Sequence, residues 1–143
     1  MLACMKQAQT SLQIQCDGRG MINISALIQA WLKDTGIETG QITVFVQHTS
    51  CSLMIQENAD PDVLIDMETF MAKLVLDGDP SFRHQDEGED DMPAHIRTAL
   101  TQTSITIPVM RGQMALGIWQ GIYLYEHRFA PMRRHVLLHV IGE

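Results

Sequence analysis

Apolar and polar side chains alternate residue by residue in several segments of this chain, most clearly in QITVFVQ at residues 41–47. Ile42, Val44 and Val46 would lie on one side of an extended backbone. A period of two residues is typical of a β-strand with at least one buried face. His48 continues the apolar side where the segment turns polar, so the pattern predicts an imidazole held at the end of a strand.

The remaining strands and helices follow each other in an irregular order. Alternation predicts further strands at 11–16, 53–55, 105–109, 114–126 and 134–141, with a hairpin turn at 111–113. Helical spacing predicts helices after Asn23 or Ser25, from Asp60 and from Pro93. The order β-α-β-β-α-loop-α-β-β-β favours an α+β domain with a mostly antiparallel sheet or two packed sheets. The 143 residues suit one domain and are too few for a (β/α)₈ barrel.

The helix that begins at Asp60 has the clearest signals in the chain. Asp60 is a capping residue, and Pro61 stands at the first helical position, where its missing N–H has no cost. One face carries seven apolar side chains: Val63, Leu64, Met67, Phe70, Met71, Leu74 and Val75. We therefore expect this whole face to lie in the core.

Negative charge is concentrated in one segment. The formal net charge is −7, and the segment 77–91 holds seven acids against the single base Arg83. A surface of this sign repels phosphate backbones, so nucleic acid is excluded as a partner. The same excess of carboxylates favours a divalent cation as a ligand.

Cysteine usage and the lack of targeting segments predict a soluble cytoplasmic protein. The three cysteines, Cys4, Cys16 and Cys51, form no C-x-x-C pair and no disulfide framework. The start of the chain lacks a basic segment followed by an apolar stretch. No run approaches the roughly 18 apolar residues of a membrane helix, so we expect no membrane association.

Three of the six histidines are candidate ligands of one metal ion. His48 ends a strand, His84 lies in the acidic segment, and His95 lies in the first turn predicted for a helix. Three ligands with an open fourth position are typical of catalytic zinc, although this spacing is not diagnostic. His135 and His139 share a strand face but lie roughly 13 Å apart, too far for one ion. The alternative is that all six are ordinary surface or core side chains.

Arginines cluster near the end of the chain, at Arg128, Arg133 and Arg134. Guanidinium groups suit bidentate capture of a phosphate or carboxylate, so the cluster could hold an anionic ligand. The alternative is that these arginines pair with the acidic segment of the same or a neighbouring subunit. No P-loop, dinucleotide fingerprint or G-x-S-x-G elbow is present.

Three long motifs, in this order, resemble one known family. They are QHTSCSLMIQENADPDV at 47–63, EGEDDMPAHIRTAL at 87–100 and SITIPVMRGQMALGIWQGIYLYEHR at 104–128. They are similar to the YjbQ family, whose members are described as secondary thiamine-phosphate synthase enzymes. The resemblance implies one α+β domain over residues 1–143, a mostly antiparallel β-sandwich of about seven strands, and homotrimers. Cys51 and Ile118 depart from the family pattern, which bears on substrate preference.

The resemblance also implies a set of site residues. The expected ligands of a divalent metal, zinc or magnesium, are His48, His84 and His95. The expected catalytic residues are His48, Glu57 and Glu126. The expected substrate-binding residues are Thr49, Ser50, Trp119, Gln120, Arg133 and Arg134. In this scheme Arg133 and Arg134 would bind a diphosphate.

Three functions are compatible with these residues. The first, implied by the resemblance, is a transferase that joins hydroxymethylpyrimidine diphosphate to thiazole phosphate and releases pyrophosphate. The second is a metal-dependent hydrolase of a phosphorylated small molecule with Glu57 as base. The third is a trimer that binds a ligand without chemistry.

Overall fold

Eight strands and three helices form the fold of residues 4–143, the part of the chain that the computed structural model describes. The strands are β1 Lys6–Cys16, β2 Gly20–Asn23, β3 Thr39–Val46, β4 Cys51–Glu57, β5 Ser104–Met110, β6 Gln113–Met114, β7 Gln120–Glu126 and β8 Met132–Gly142. The helices are α1 Ser25–Thr35, α2 Pro61–Leu74 and α3 Asp91–Leu100. The mostly antiparallel α+β class is confirmed.

The strands form two sheets that share one core. β1-β8-β3-β5-β6 make a five-stranded sheet, and β2-β7-β4 make a three-stranded sheet. One cluster of buried apolar side chains contains Val44 and Leu138 from the first sheet, Leu124 from the second, and Ile28 and Leu32 from α1. Burial of one face on each sheet explains the two-residue alternation along the chain.

Several strand boundaries differ from the sequence-based prediction: β1 already begins at Lys6, and two further differences change the list of strands. Gly20–Asn23 is a strand that pairs with β7, although four residues are too few to show alternation. β7 starts at Gln120, so the long extended run predicted from Met114 is interrupted. The predicted turn is present: Arg111 and Gly112 have φ of 54° and 70°, which suits a two-residue hairpin.

Helix α2 starts as predicted but is not buried as predicted. The Asp60 side chain accepts a hydrogen bond from the Asp62 N–H at 2.9 Å and so caps the helix. Phe70 and Leu74 are 63% and 56% exposed, so the prediction that the whole apolar face lies in the core is wrong. The helix covers only a small satellite cluster around Met71, and no other described element packs over its outer face.

Helix α3 starts two residues before Pro93, the predicted start. Asp91 therefore occupies the first helical position, and His95 lies one turn further on. Residues four apart share one face of a helix, so the Asp91 and His95 side chains point to the same side. Among residues 4–143, no helix has the length and apolar character needed to cross a membrane.

Candidate metal centre

Two imidazoles and one carboxylate meet where α3 begins. One ligand atom each from His84, Asp91 and His95 lies within 4.8 Å of the other two. Asp91 Oδ2 is 2.6 Å from His84 Nε2 and 3.5 Å from His95 Nε2. The carboxylate is therefore the shared point of contact. The part of the acidic segment that precedes α3, residues 77–90, is called the acidic loop, and it brings His84 to the helix that carries the other two residues.

Asp91 is buried and held by an arginine. It is 1% exposed, and its Oδ1 accepts a hydrogen bond from Arg128 Nη1 at 2.6 Å. Burial acts to raise the pKa of Asp91, but the hydrogen bond from His84 and the charges of Arg128 and His95 outweigh it and lower that pKa. The carboxylate therefore stays ionised and turns Oδ2 towards the imidazoles.

Arg128 pairs with the acidic loop of its own chain, as one of the two alternatives for the arginine cluster suggested. Besides Asp91, it donates through Nε to Asp90 Oδ2 at 3.1 Å and through Nη2 to the Glu87 carbonyl at 2.7 Å. The guanidinium thus fastens the loop that carries His84 against the end of β7. Nε, Nη1 and Nη2 of Arg128 each already donate to this chain, so few of its N–H groups remain for a ligand.

A backbone carbonyl fixes the tautomer of His95. Its Nδ1 lies 2.9 Å from the Thr49 carbonyl oxygen. A carbonyl only accepts hydrogen bonds, so Nδ1 must carry the proton. In the neutral ring the lone pair is then on Nε2, the nitrogen that faces Asp91, which is the arrangement usual for histidines that ligate metals.

The donor set fits a divalent cation. Two imidazole nitrogens and one carboxylate oxygen are three protein ligands of the kind found in catalytic zinc and non-haem iron sites, which keep positions open. The hydrogen bond between His84 Nε2 and Asp91 Oδ2 puts a proton where an ion would bind, and metal binding displaces such protons. His84, Asp91 and His95 would therefore hold the ion.

Cavities lie on both sides of this cluster. One, of about 350 Å³, is lined by His48, Thr49, His95, Thr98, Ala99, Thr101 and Thr103, and we call it the threonine cleft. The other, of about 460 Å³, is lined by residues of the acidic loop, among them Phe82, His84 and Glu89. A ligand in either cavity would reach one of the two imidazoles.

His48 borders the threonine cleft but is not one of the three clustered residues. Its Nε2 accepts a hydrogen bond from the His135 N–H at 2.8 Å, and the two rings stack with centroids 5.8 Å apart. Burial, followed by the charge of Arg134, lowers the pKa of His48. The ring is thus neutral, with its Nε2 lone pair engaged, and Asp91 stands where a third histidine was expected.

Neither of the arginines expected to bind substrate lines the threonine cleft. Arg134 is 5% exposed and holds Glu126, through Nε to Oε2 and through Nη2 to Oε1, both at 2.6 Å. Glu126 is fully buried and also accepts from the backbone N–H groups of His127 and Arg128. Arg133 is exposed and points away from Arg134, because neighbours on a strand face opposite sides.

Glu57, Trp119 and Gln120 lie at the far end of the three-stranded sheet. Cys51 is opposite Glu126 in that sheet, whereas Glu57 is opposite Gln120. Six residues of strand separate the two ends by roughly 20 Å. Within one chain these residues therefore do not meet the metal centre, although Thr49 and Ser50 do lie beside it.

Asp91 was not among the residues expected at the site, and Arg128 was expected only as a member of the arginine cluster. Asp91 and His95 form a D-x-x-x-H pair, which would have indicated one shared helix face had the helix start been placed correctly. The sequence placed Arg128 in the arginine cluster but could not identify its particular partners, which lie 37 and more residues away along the chain.

Comparison with known proteins identifies the family. Residues 10–143 match the model of the family described as UPF0047 protein YjbQ-like. The chain is 52% identical to the UPF0047 protein sll1880 of Synechocystis over 99% of its own length and 96% of that protein. It is 38% identical to the UPF0047 protein YjbQ of Escherichia coli O157:H7, over 94% of this chain and 98% of that protein.

Solved structures agree with this assignment. A conserved hypothetical protein from Thermus thermophilus superposes with a TM-score of 0.82 at 32% identity, covering 90% of this chain and 97% of that one. A YbjQ-like protein of unknown function from Sulfolobus solfataricus shares the fold, with a TM-score of 0.88 at 20% identity and 98% and 100% covered. The chain therefore belongs to the YjbQ-like UPF0047 family.

Proposed function

We propose that this protein is a divalent-metal-dependent enzyme acting on a phosphorylated small molecule. The observation that carries the proposal is the meeting of His84, Asp91 and His95, whose ligand atoms lie within 4.8 Å of one another beside a cleft. When bound there, a divalent cation such as zinc or magnesium would polarise a phosphoryl oxygen and lower the pKa of a water molecule.

The threonine cleft supplies polar groups for the phosphorylated end of the substrate. Within residues 4–143, the hydroxyls of Thr49 and Thr103 donate to no protein group. Each can therefore donate to a phosphate oxygen. Thr98 and Thr101 instead donate to the carbonyls of Cys51 and Arg97, so they shape the wall of the cleft.

Hydrolysis is the reaction that this arrangement supports best. Transfer with loss of pyrophosphate builds charge on a diphosphate, for which Arg133 and Arg134 were expected to compensate. Arg134 is engaged by Glu126, and Arg133 points to the other side of β8. Hydrolysis of a phosphate ester needs only the cation and water in the open cleft.

The second candidate is the thiamine-phosphate synthase-like transfer that the family resemblance implies. Two cavities flank the centre, one beside His95 and one beside His84, so two substrates have room to meet at one ion. In that reaction hydroxymethylpyrimidine diphosphate and thiazole phosphate would occupy the two cavities. We further propose a homotrimer that binds no nucleic acid.

The proposal is tested with protein purified without a histidine tag. Metal content is measured first, and then phosphate release from a panel of phosphorylated small molecules and formation of thiamine phosphate from its two precursors. We expect His95→Ala and His84→Ala each to lower metal affinity and turnover at least about 10-fold. His139→Ala is the matched control, because its ring hydrogen-bonds to Gln7 on β1 at 3.1 Å and lines neither cavity beside the metal centre.

The outcomes separate the candidates. Phosphate release lost in both variants supports the hydrolase, and thiamine phosphate formed from the two precursors supports the transferase. If the protein binds stoichiometric metal but turns over neither the phosphorylated panel nor the two precursors, the result supports a ligand-binding protein without catalysis. Wild-type metal affinity in the His95→Ala protein would overturn the proposed centre.

A further inference from the structure

We propose that Arg134 and Glu126 are positioning residues for the metal ligand His95, acting through the segment 48–50. The inference rests on the proposed metal centre and assigns these two residues a role other than substrate binding or base catalysis. Three contacts in series carry it: the Arg134–Glu126 pair, the hold of Arg134 on Ser50, and the hydrogen bond between Thr49 and His95.

The first contact joins the two sheets. Arg134 lies on β8 of the five-stranded sheet, and Glu126 ends β7 of the three-stranded sheet. Both are at least 95% buried, and two parallel hydrogen bonds of 2.6 Å connect them. A bidentate pair of this kind fixes the plane of the guanidinium as well as its position.

The second contact joins the fixed guanidinium of Arg134 to Ser50, in the connection between β3 and β4. Arg134 Nη2 donates to the Ser50 carbonyl at 3.2 Å and to Ser50 Oγ at 2.9 Å. His48, two residues earlier, is held by the backbone of His135, the neighbour of Arg134. Both ends of the segment 48–50 are therefore fastened to the start of β8.

The third contact joins the segment 48–50 to the proposed metal ligand His95. Thr49 lies between the two fastened residues, and its carbonyl accepts the hydrogen bond from His95 Nδ1 at 2.9 Å. This bond keeps the proton on Nδ1 and the lone pair on Nε2, 3.5 Å from Asp91 Oδ2. If the carbonyl shifts, His95 can protonate on Nε2 instead, and its ligand atom is lost.

Burial argues against direct roles for the pair. A substrate in the threonine cleft cannot displace Arg134 from Glu126 without leaving a buried charge unpaired. Glu126 accepts four hydrogen bonds from three residues, so it has no capacity left to act as a base on a ligand.

The test compares four variants with the wild-type protein. Arg134→Met combined with Glu126→Gln removes the pair without leaving a buried charge, and the glutamine oxygen can still accept from the backbone N–H groups of His127 and Arg128. Ser50→Ala removes one contact and keeps the pair, so it serves if the double variant fails to fold. Arg134→Lys keeps the charge but not the two parallel bonds. Arg111→Met, in the exposed β5–β6 turn, is the matched control.

Two readouts are used on the folded proteins. Long-range ¹H–¹⁵N NMR of the imidazoles reports the tautomer of His95 without metal, and calorimetric titration with Co²⁺ and Zn²⁺ reports affinity. We expect wild type and Arg111→Met to show the Nδ1–H tautomer. In the double variant we expect mixed tautomers and about 10- to 100-fold weaker binding. Ser50→Ala and Arg134→Lys should fall between these limits.

The two proposals fail differently. If the wild-type protein binds neither metal, the metal centre is wrong, whereas the tautomer measurement still tests the positioning role. If the folded double variant and Ser50→Ala both keep the wild-type tautomer and metal affinity within twofold, the positioning role is overturned while the centre stands.

Discussion

At the scale of single residues, His127 shows how burial and nearby positive charges together set the protonation state of a side chain. It is fully buried, its Nε2 is 2.8 Å from Ser52 Oγ, and its ring packs on Tyr125 with centroids 4.2 Å apart. Burial, followed by the charges of Arg97 and Arg19, lowers its pKa from 6.5 to about 3. The folded protein therefore keeps this imidazole neutral down to a pH of about 3.

This neutrality makes stability depend on pH. As pH falls from 6.5 towards 3, the unfolded chain takes up a proton at His127 that the folded chain does not. The free energy of unfolding should therefore fall by up to about 1.4 kcal/mol per pH unit from this residue. His127→Gln should flatten that slope, while costing stability at pH 7. Urea unfolding at several pH values measures both, and parallel slopes for the two proteins would contradict the assignment.

At the scale of elements, one buried ion pair attaches α2 to α3. Arg97 of α3 is fully buried, and its Nη1 donates to Glu68 Oε1 of α2 at 2.8 Å. Glu68 also accepts a hydrogen bond from the Tyr125 hydroxyl of β7. Arg97 Nε and Nη2 have no partner among the described residues, so Glu68 is its principal compensation.

Removing the Glu68 side chain should therefore lower the free energy of unfolding more than is usual for a residue on a half-exposed helix. Glu68→Ala would leave the Arg97 charge buried and unpaired, which we expect to lower the free energy of unfolding by about 3 kcal/mol. Asp66→Ala, on the exposed side of α2, should change it by less than about 0.5 kcal/mol. Denaturant unfolding compares the two variants. Equal effects would show that Arg97 is compensated in some other way.

At the scale of the whole molecule, large apolar side chains remain uncovered in the single chain. Phe70 and Leu74 on α2 are 63% and 56% exposed. Ile118 and Trp119, before β7, are 81% and 60% exposed. Exposed apolar patches on soluble proteins commonly mark surfaces that bind other chains. This is where the homotrimer implied by the family resemblance would bury surface.

We predict that the outer face of α2 contributes to self-association. The wild-type protein should sediment as three copies of the 16.1 kDa chain. Phe70→Asp and Leu74→Asp should shift it towards the monomer, because each places a charge in an apolar interface. Thr69→Asp, at an exposed position next to Phe70, is the control. Sedimentation velocity measures the state, and a wild-type monomer at micromolar concentration would refute this prediction.

The class of fold and most of its elements could be predicted from the amino-acid sequence. The alternation at Ile42, Val44 and Val46, the Asp60 cap and the turn at Arg111 each depend on neighbouring residues, and all three appear where predicted. A segment keeps its local preference for strand, helix or turn when burial in the folded protein favours the same structure. A sheet with one face in the core satisfies this condition.

The grouping of the candidate site residues could not be predicted from the sequence, because it depends on contacts between distant segments. Asp91 joined His84 and His95, His48 was held by the backbone of β8, and Arg134 was engaged by Glu126. These contacts depend on which strands are neighbours and on where α3 begins. The apolar periodicity of a segment predicts its secondary structure and its buried face, but it does not predict which other segment packs against that face.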